Sequence, residues 1–228
     1  MPDKTTEGTQ RTKGTQTTPT RGTSLPTSFR SPSSLPCAEG FIPAHGGYES
    51  LLSFQKARIV YDGTVYFCGR FVDKRSRTHD QMVQAARSGK QNILEGSQAS
   101  GTSKETEIKL TNVARASLEE LLEDYRDFLR VRGFTEWPRE HSHTRRLREL
   151  NRQPGASYTT FKKGIEHTDP AIAANVMIGL IKLTNYLLDR QLRQLEQDFL
   201  QEGGLRERMT RACVAARAQR QRAGSHGV

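Results

Sequence analysis

Across residues 77–133 the apolar positions fall into two helical registers separated by one short polar break. In the first, Met82, Ala85/Ala86, Gly89, Ile93 and Gly96 follow at steps of three and four, which keeps them on one face of a 3.6-residue period. That seam is built of very small residues, so a neighbouring backbone can come close. A glycine inside a helix costs about 1 kcal/mol against alanine, and two of them call for a packing or site reason. The pattern predicts a helix from Arg77 to near Gly96 and a turn over residues 97–101. Thr102, three residues before Glu105, has the spacing of a capping box for the next helix. There Leu110, Ala114, Ser117/Leu118, Leu121, Tyr125 and Phe128/Leu129 share one face, while Glu119, Glu120, Glu123, Asp124 and Asp127 occupy the other. Arg132 and Gly133 supply the C-terminal cation and stop.

Two further helices are written on either side. From about Gly47 to Phe71 the stripe is Phe54, Ala57, Tyr61, Thr64/Val65, Cys68 and Val72, widened by Val60, Phe67 and Phe71. A charged connector, residues 73–77, follows it. Asp169 and Pro170 then form an N-cap and a first-turn proline ahead of Ile172, Val176, Leu180, Leu183, Leu187/Leu188, Leu192, Leu195 and Phe199, with Gly203 and Gly204 as the stop. The insert before that helix, about residues 134–168, opens on a turn at Trp137 and Pro138. It continues into a short basic helix over residues 139–151 and an irregular stretch over 153–167 that suits a surface hairpin. Four long amphipathic segments with short or moderate connections predict an all-α helical bundle.

The order Gln84-Ala85-Ala86-Arg87-Ser88, Asn92-Ile93-x-Glu95-Gly96, Lys104-x-x-Glu107 and Ala116-Ser117-Leu118-Glu119-Glu120-Leu121 resembles the bacterial four-helix bundle proteins. That family includes proteins encoded in intervening sequences of the large ribosomal RNA and the accessory (Avd-like) proteins of diversity-generating retroelements. The resemblance covers about residues 48–202. The insert and the ending Leu195-Glu196-Gln197-Asp198-Phe199-Leu200-Gln201-Glu202-Gly203-Gly204 look like the four helix bundle suffix-domain subgroup, which has no established activity. What the resemblance implies is an antiparallel four-helix protomer, a homo-oligomer of the ring-like pentamer kind, and RNA or a reverse-transcriptase-type ribonucleoprotein as partner. It implies no catalysis and no cofactor. It also implies that Asn92 and Glu95, beside the glycine seam, form a buried structural hydrogen-bond network.

Composition divides the 228 residues into three stretches. Residues 1–45 are rich in Thr, Ser, Pro, Gly and Arg and poor in apolar residues, too few to offset the entropy of ordering, so a disordered arm is expected there. It reads either as an RNA-touching arm or as a simple tail or over-extended start. Residues 46–204 hold the bundle, and residues 205–228 a basic tail. No run reaches the ~18–20 consecutive apolar residues of a membrane span, and the start lacks the apolar core of a signal peptide. Cys37, Cys68 and Cys213 are odd in number and widely spaced, which fits neither a disulfide framework nor a CxxC zinc site. The expected setting is the cytoplasm, with no membrane partner.

The formal net charge is +10, and its distribution matters more than its total. The tail alone holds Arg206, Arg208, Arg211, Arg217, Arg220 and Arg222 against Glu207, a net +5 in 24 residues. Leu205, Met209, Cys213 and Ala216 recur there at helical spacing, as in a basic amphipathic helix that orders on an acidic partner. Arginine neutralises phosphates and releases counterions, which gives salt-sensitive binding to nucleic acid; the plainer reading is a solubilising tail. A second cluster combines Lys74, Arg75 and Arg77 with Arg87 and Lys90 on the first small-residue helix. Arg87 has a competing role as ion-pair partner of Glu119, Glu120 or Glu123 on a neighbour, and Tyr48 and Tyr66 read more readily as core than as base-stacking platforms.

Catalytic and metal chemistry are poorly represented. No serine, cysteine or histidine is spaced to form a nucleophile pair with Glu95. His141 and His143, two apart, fall on different faces of a helix, His167 adjoins a capping aspartate, and the Glu-x-x-His motifs of a di-iron bundle are missing. The expectation is therefore a non-catalytic, oligomeric RNA-binding accessory protein without metal or cofactor. The alternatives are a protein-interaction scaffold using the acidic helix face and, more distantly, an enzyme centred on Glu95.

Overall fold

The computed structural model describes residues 46–224, so the expected N-terminal arm lies outside the described residues. Everything described is helix or connector: a 3-10 turn at Tyr48–Ser50, then α1 (Leu52–Phe71), α2 (Arg77–Ala99), α3 (Lys104–Val131), α4 (Ser142–Arg152), α5 (Tyr158–Ile165), α6 (Pro170–Glu202) and α7 (Leu205–Gly224). The protein is all-α over these residues. α1 packs against α2 and α6, and α3 packs against the same two helices, and their buried apolar side chains belong to one core cluster.

The small-residue seam of α2 performs the packing its spacing implies. Met82, Ala85, Ala86, Gly89, Ile93 and Gly96 are all buried. A methyl group added at Gly89 would sit 2.6 Å from Cδ2 of Leu118, and one at Gly96 would sit 3.4 Å from the Glu107 carbonyl oxygen. The glycines thus mark the line where α2 and α3 approach backbone to backbone. On α3 the core face is Thr111, Ala114, Leu118, Leu121, Leu122, Tyr125, Phe128 and Leu129. The Tyr125 hydroxyl donates to Oγ1 of Thr64 at 3.2 Å, which satisfies a polar atom that would otherwise be stranded in the core.

Several boundaries differ from the sequence pattern, each for a local reason. α1 starts at Leu52 because Leu51 is extended (φ −69°, ψ 121°) and the preceding residues close a separate 3-10 turn. α2 continues past Gly96 to Ala99. The cap of α3 is Ser103, whose Oγ accepts from the Thr106 amide at 3.1 Å. Thr102 instead donates its hydroxyl to the Ala99 carbonyl, so the expected Thr102–Glu105 box does not form. The irregular stretch expected over residues 153–167 contains α5. Ser157 caps it in a reciprocal box with Thr160, and Phe161 and Ile165, four apart, bury one face. Asp169 caps α6 as its position suggests, accepting from the Ala171 amide at 2.8 Å, with Pro170 in the first turn.

The core face of α6 is rotated from the leucine stripe. Ala173, Ala174, Met177, Leu180, Ile181, Thr184 and Leu188 are fully buried, while Ile172, Leu183 and Leu187 are only half-buried. The first half of α6 is apolar nearly all round because α1, α3, α4 and α5 all touch it. For the same reason an 18-residue window in the helical stretch that begins at Pro170 reaches a mean hydropathy of 1.5, apolar enough by composition to cross a membrane, yet 61% of that window is buried within the protein.

Candidate nucleic-acid interface

Charge is not spread evenly over this architecture. Residues 41–133 and 169–204, which hold the four core helices, carry seventeen Lys/Arg and seventeen Asp/Glu. The insert, residues 134–168, carries seven against four, and residues 205–228 six against one. The net positive charge of the described residues therefore lies outside the four core helices.

α7 is the most basic element. It leaves α6 through Gly203, whose φ of +74° suits glycine, and runs for twenty residues, about 30 Å at 1.5 Å per residue. At 100° per residue, Arg206, Arg217 and Arg220 fall within about 60° of one another, while Arg208, Arg211 and Arg222 share the opposite side. The two sides are used differently. Arg208 is half-buried and donates Nη2 to the Gly101 carbonyl at 3.4 Å, and Arg211 donates to the Glu202 carbonyl, so both tie α7 to the body of the protein. Arg206, Arg217 and Arg220 are exposed and have no carboxylate partner among the described residues. Arg222 is exposed as well.

The second basic cluster is not brought together as one patch. Lys74, Arg75 and Arg77 are exposed around the connector between α1 and α2, where Asp73 caps the turn by accepting from the Arg75 amide at 2.9 Å. Arg77 shares a surface hollow of about 410 Å³ with Asp80 and Glu120, which offset it. Arg87 stands ten residues further along α2, about 15 Å away. It is exposed and makes no ion pair among the described residues. Lys90 is half-buried with its ammonium 4.5 Å from the centre of the Tyr61 ring, a cation–π contact that engages it within its own chain.

The acidic side of α3 is largely satisfied internally. Glu119 accepts from the Asn185 amide at 2.7 Å, Glu123 pairs with Arg126, and Asp127 pairs with Arg130. Asp124 lies half-buried beside them, and burial first, then Glu120 and Asp127, push its carboxyl up to about 6.

Of the expected polar pair beside the seam, Asn92 has the structural role and Glu95 does not. Nδ2 of Asn92 donates to the Ser88 carbonyl at 2.9 Å, and the Ser88 and Ser117 hydroxyls share a hydrogen bond of 3.0 Å across α2 and α3. Glu95 is exposed and makes no hydrogen bond or ion pair among the described residues, although it lies seven residues from Ser88 on the same side of α2. Of the two residues sharing that side, only Asn92 reaches the serines.

The histidine pair also departs from expectation. Helical spacing puts His141 and His143 on different faces, but His141 precedes α4 as its extended N-cap (φ −61°, ψ 140°), where helical periodicity does not apply. Its ring stacks on Trp137 at 4.8 Å and 12°, and His143 lies 5.0 Å from Trp137 and 5.3 Å from His141. Among the described residues no group of three or more His, Cys, Asp or Glu is placed to hold a metal ion. This aromatic cluster and the surplus charge of the insert were legible in the sequence only as a turn followed by a basic helix.

Compared with models of protein families, with curated proteins and with solved structures, the chain matches none.

Proposed function

We propose that this chain is a non-catalytic, cytoplasmic RNA-binding accessory protein that acts as a homo-oligomer, possessing the antiparallel four-helix bundle its motifs resemble. The connectors of five residues between α1 and α2 and four between α2 and α3 support that topology, since so short a link turns a helix back on its predecessor. The bundle is the neutral carrier. The binding element is α7, with Arg206, Arg217 and Arg220 as its phosphate contacts and Arg208 and Arg211 as its anchors. The observation that carries the reading is the division of the α7 arginines into an anchored side and an exposed side without carboxylates.

The test is fluorescence anisotropy of labelled single-stranded and hairpin RNA over a salt series, comparing the native chain with one carrying Arg206→Gln, Arg217→Gln and Arg220→Gln together. Each lost phosphate contact removes about 0.7 from the log–log salt slope on a single strand, so the triple substitution should flatten it by about 2. Absence of binding to either chain at low salt refutes the RNA reading and leaves a protein-interaction scaffold as the better account.

A further inference from the structure

The insert carries seven Lys/Arg against four Asp/Glu, and it also holds the one tryptophan of the chain. That tryptophan stays out of the core aromatic group, in which Phe67 contacts Phe71, Tyr125 and Phe128. Its backbone is fixed: the Trp137 amide donates to Oδ1 of Asn175 at 2.7 Å, and Nδ2 of Asn175 donates to the Thr135 carbonyl at 3.1 Å. The connector is thereby pinned to buried Asn175 of α6, while the ring remains half-exposed beneath His141 and His143. His143 is the outermost of the three and is exposed.

The connector and helix that carry this cluster are rich in arginine. Arg148 donates Nη2 to the Arg139 carbonyl at 2.9 Å, which folds the connector back along α4. The Arg145 amide donates to the His141 carbonyl at 3.0 Å, which places Arg145 one helical turn after His141. Arg139 and Arg145 are exposed and have no carboxylate partner among the described residues. Of the nearby acids, Glu136 is held by Arg126 and Lys182 and Glu149 by Arg146, which leaves exposed Glu140 as the one uncompensated carboxylate. A surface cluster in which Trp137 and His141 stack and His143 lies tilted against both, with exposed Arg139 and Arg145 on the connector and helix that carry it, matches the chemistry of an unpaired nucleobase and its phosphates.

We propose that Trp137, His141 and His143, with Arg139 and Arg145, form a second nucleic-acid contact that stacks an unpaired base of single-stranded RNA on the exposed ring of His143. The proposal rests on the RNA-binding reading and adds to it a site separate from α7. It also gives the protein a preference: a duplex keeps its bases stacked inside and can offer this site only phosphates.

Because Trp137 is the chain's single tryptophan, its emission reports the site directly. The full chain is titrated with labelled oligouridylate of about twelve nucleotides, enough to cover a groove of the usual size, with anisotropy and tryptophan emission followed together. The expected result is quenching that saturates with binding, no quenching by a duplex of equal length, and affinity about tenfold weaker in His143→Ala. Arg145→Gln, at an exposed position of α4, asks the same question if the histidine variant fails to fold. The α7 triple variant should bind more weakly yet reach the same quenching at saturation. Binding with tryptophan emission unchanged, or affinity untouched by both His143→Ala and Arg145→Gln, overturns this site and leaves the α7 reading standing. No binding in any form overturns both.

Discussion

A single methyl group at Gly89 would test whether the small residues of α2 exist for close packing. The added carbon would lie 2.6 Å from Cδ2 and 2.7 Å from Cγ of Leu118. Carbon pairs settle at about 3.5–4.0 Å, so the overlap is about 1 Å. Leu118 is 0% exposed and has no surface to retreat to, which means that α3 must shift or the leucine must leave its rotamer. Forcing a methylene-sized group into a packed core costs about 1–3 kcal/mol. Alanine's better helix propensity returns about 1 kcal/mol, so Gly89→Ala should be destabilising by about 0–2 kcal/mol. Gly69 of α1 is the matched control: it is exposed, helical, and an added methyl would meet no atom within 4 Å. Gly69→Ala should therefore be stabilising by about 1 kcal/mol. Urea unfolding followed by far-ultraviolet circular dichroism compares the two at constant m. With m of about 2 kcal/mol/M, the midpoints should differ by about 0.5–1.5 M, Gly89→Ala being the lower. Coincident midpoints, or the reverse order, would refute the close approach of α2 to α3.

Two further substitutions probe electrostatics and capping. The Asp124 carboxyl is raised from 3.8 to about 6 by burial and its acidic neighbours, so the folded chain holds this proton more tightly than the unfolded chain. Its contribution to stability consequently falls as pH rises through about 4 to about 6, and the penalty is complete above that window. Asp124→Asn should then raise the melting temperature at about pH 7.5, by an amount equivalent to about 1 kcal/mol once solvent screening is allowed for, and leave it unchanged at about pH 3.5; equal gains at both pH values would rule this out. Ser103→Ala should cost about 1 kcal/mol in the same urea assay, while Thr102→Ala should be close to neutral, and the opposite ranking would restore the Thr102 cap.

The fold was legible where one face alone meets a neighbour. The seam of α2 and the stripe of α3 are such cases, and their three-and-four spacing translates directly into burial. α6 was not, because four helices surround its first half and every side is apolar there. A leucine count then picks the longest side chains, whereas Ala173, Ala174 and Met177 take the tightest places. α5 was missed for a different reason: eight residues with two buried anchors, Phe161 and Ile165, offer too short a pattern to separate from a loop. The α3 cap shows how neighbouring hydroxyls compete. Thr102 and Ser103 both suit the position, and the hydrogen bond of Thr102 back to Ala99 decides between them.

The candidate site was harder to read, because a basic residue contributes to a surface only when nothing nearby cancels it. Along α3 the acids carry their own partners at i,i+3, as in Glu123–Arg126 and Asp127–Arg130, so the apparent acidic face fades once the helix forms. Around α2 the cancellation runs the other way, with Asp73, Asp80 and Glu120 beside Lys74, Arg75 and Arg77. α7 escapes both effects. Its first turn contains Glu207, and beyond it the helix has no further acid to set against Arg208, Arg211, Arg217 and Arg220. The insert escapes them in part, since its carboxylates Glu136 and Glu149 are engaged while Arg139 and Arg145 are not. A residue's neighbours at three and four positions, together with whatever the connector folds onto it, therefore locate positive surface better than the charge of the segment it belongs to.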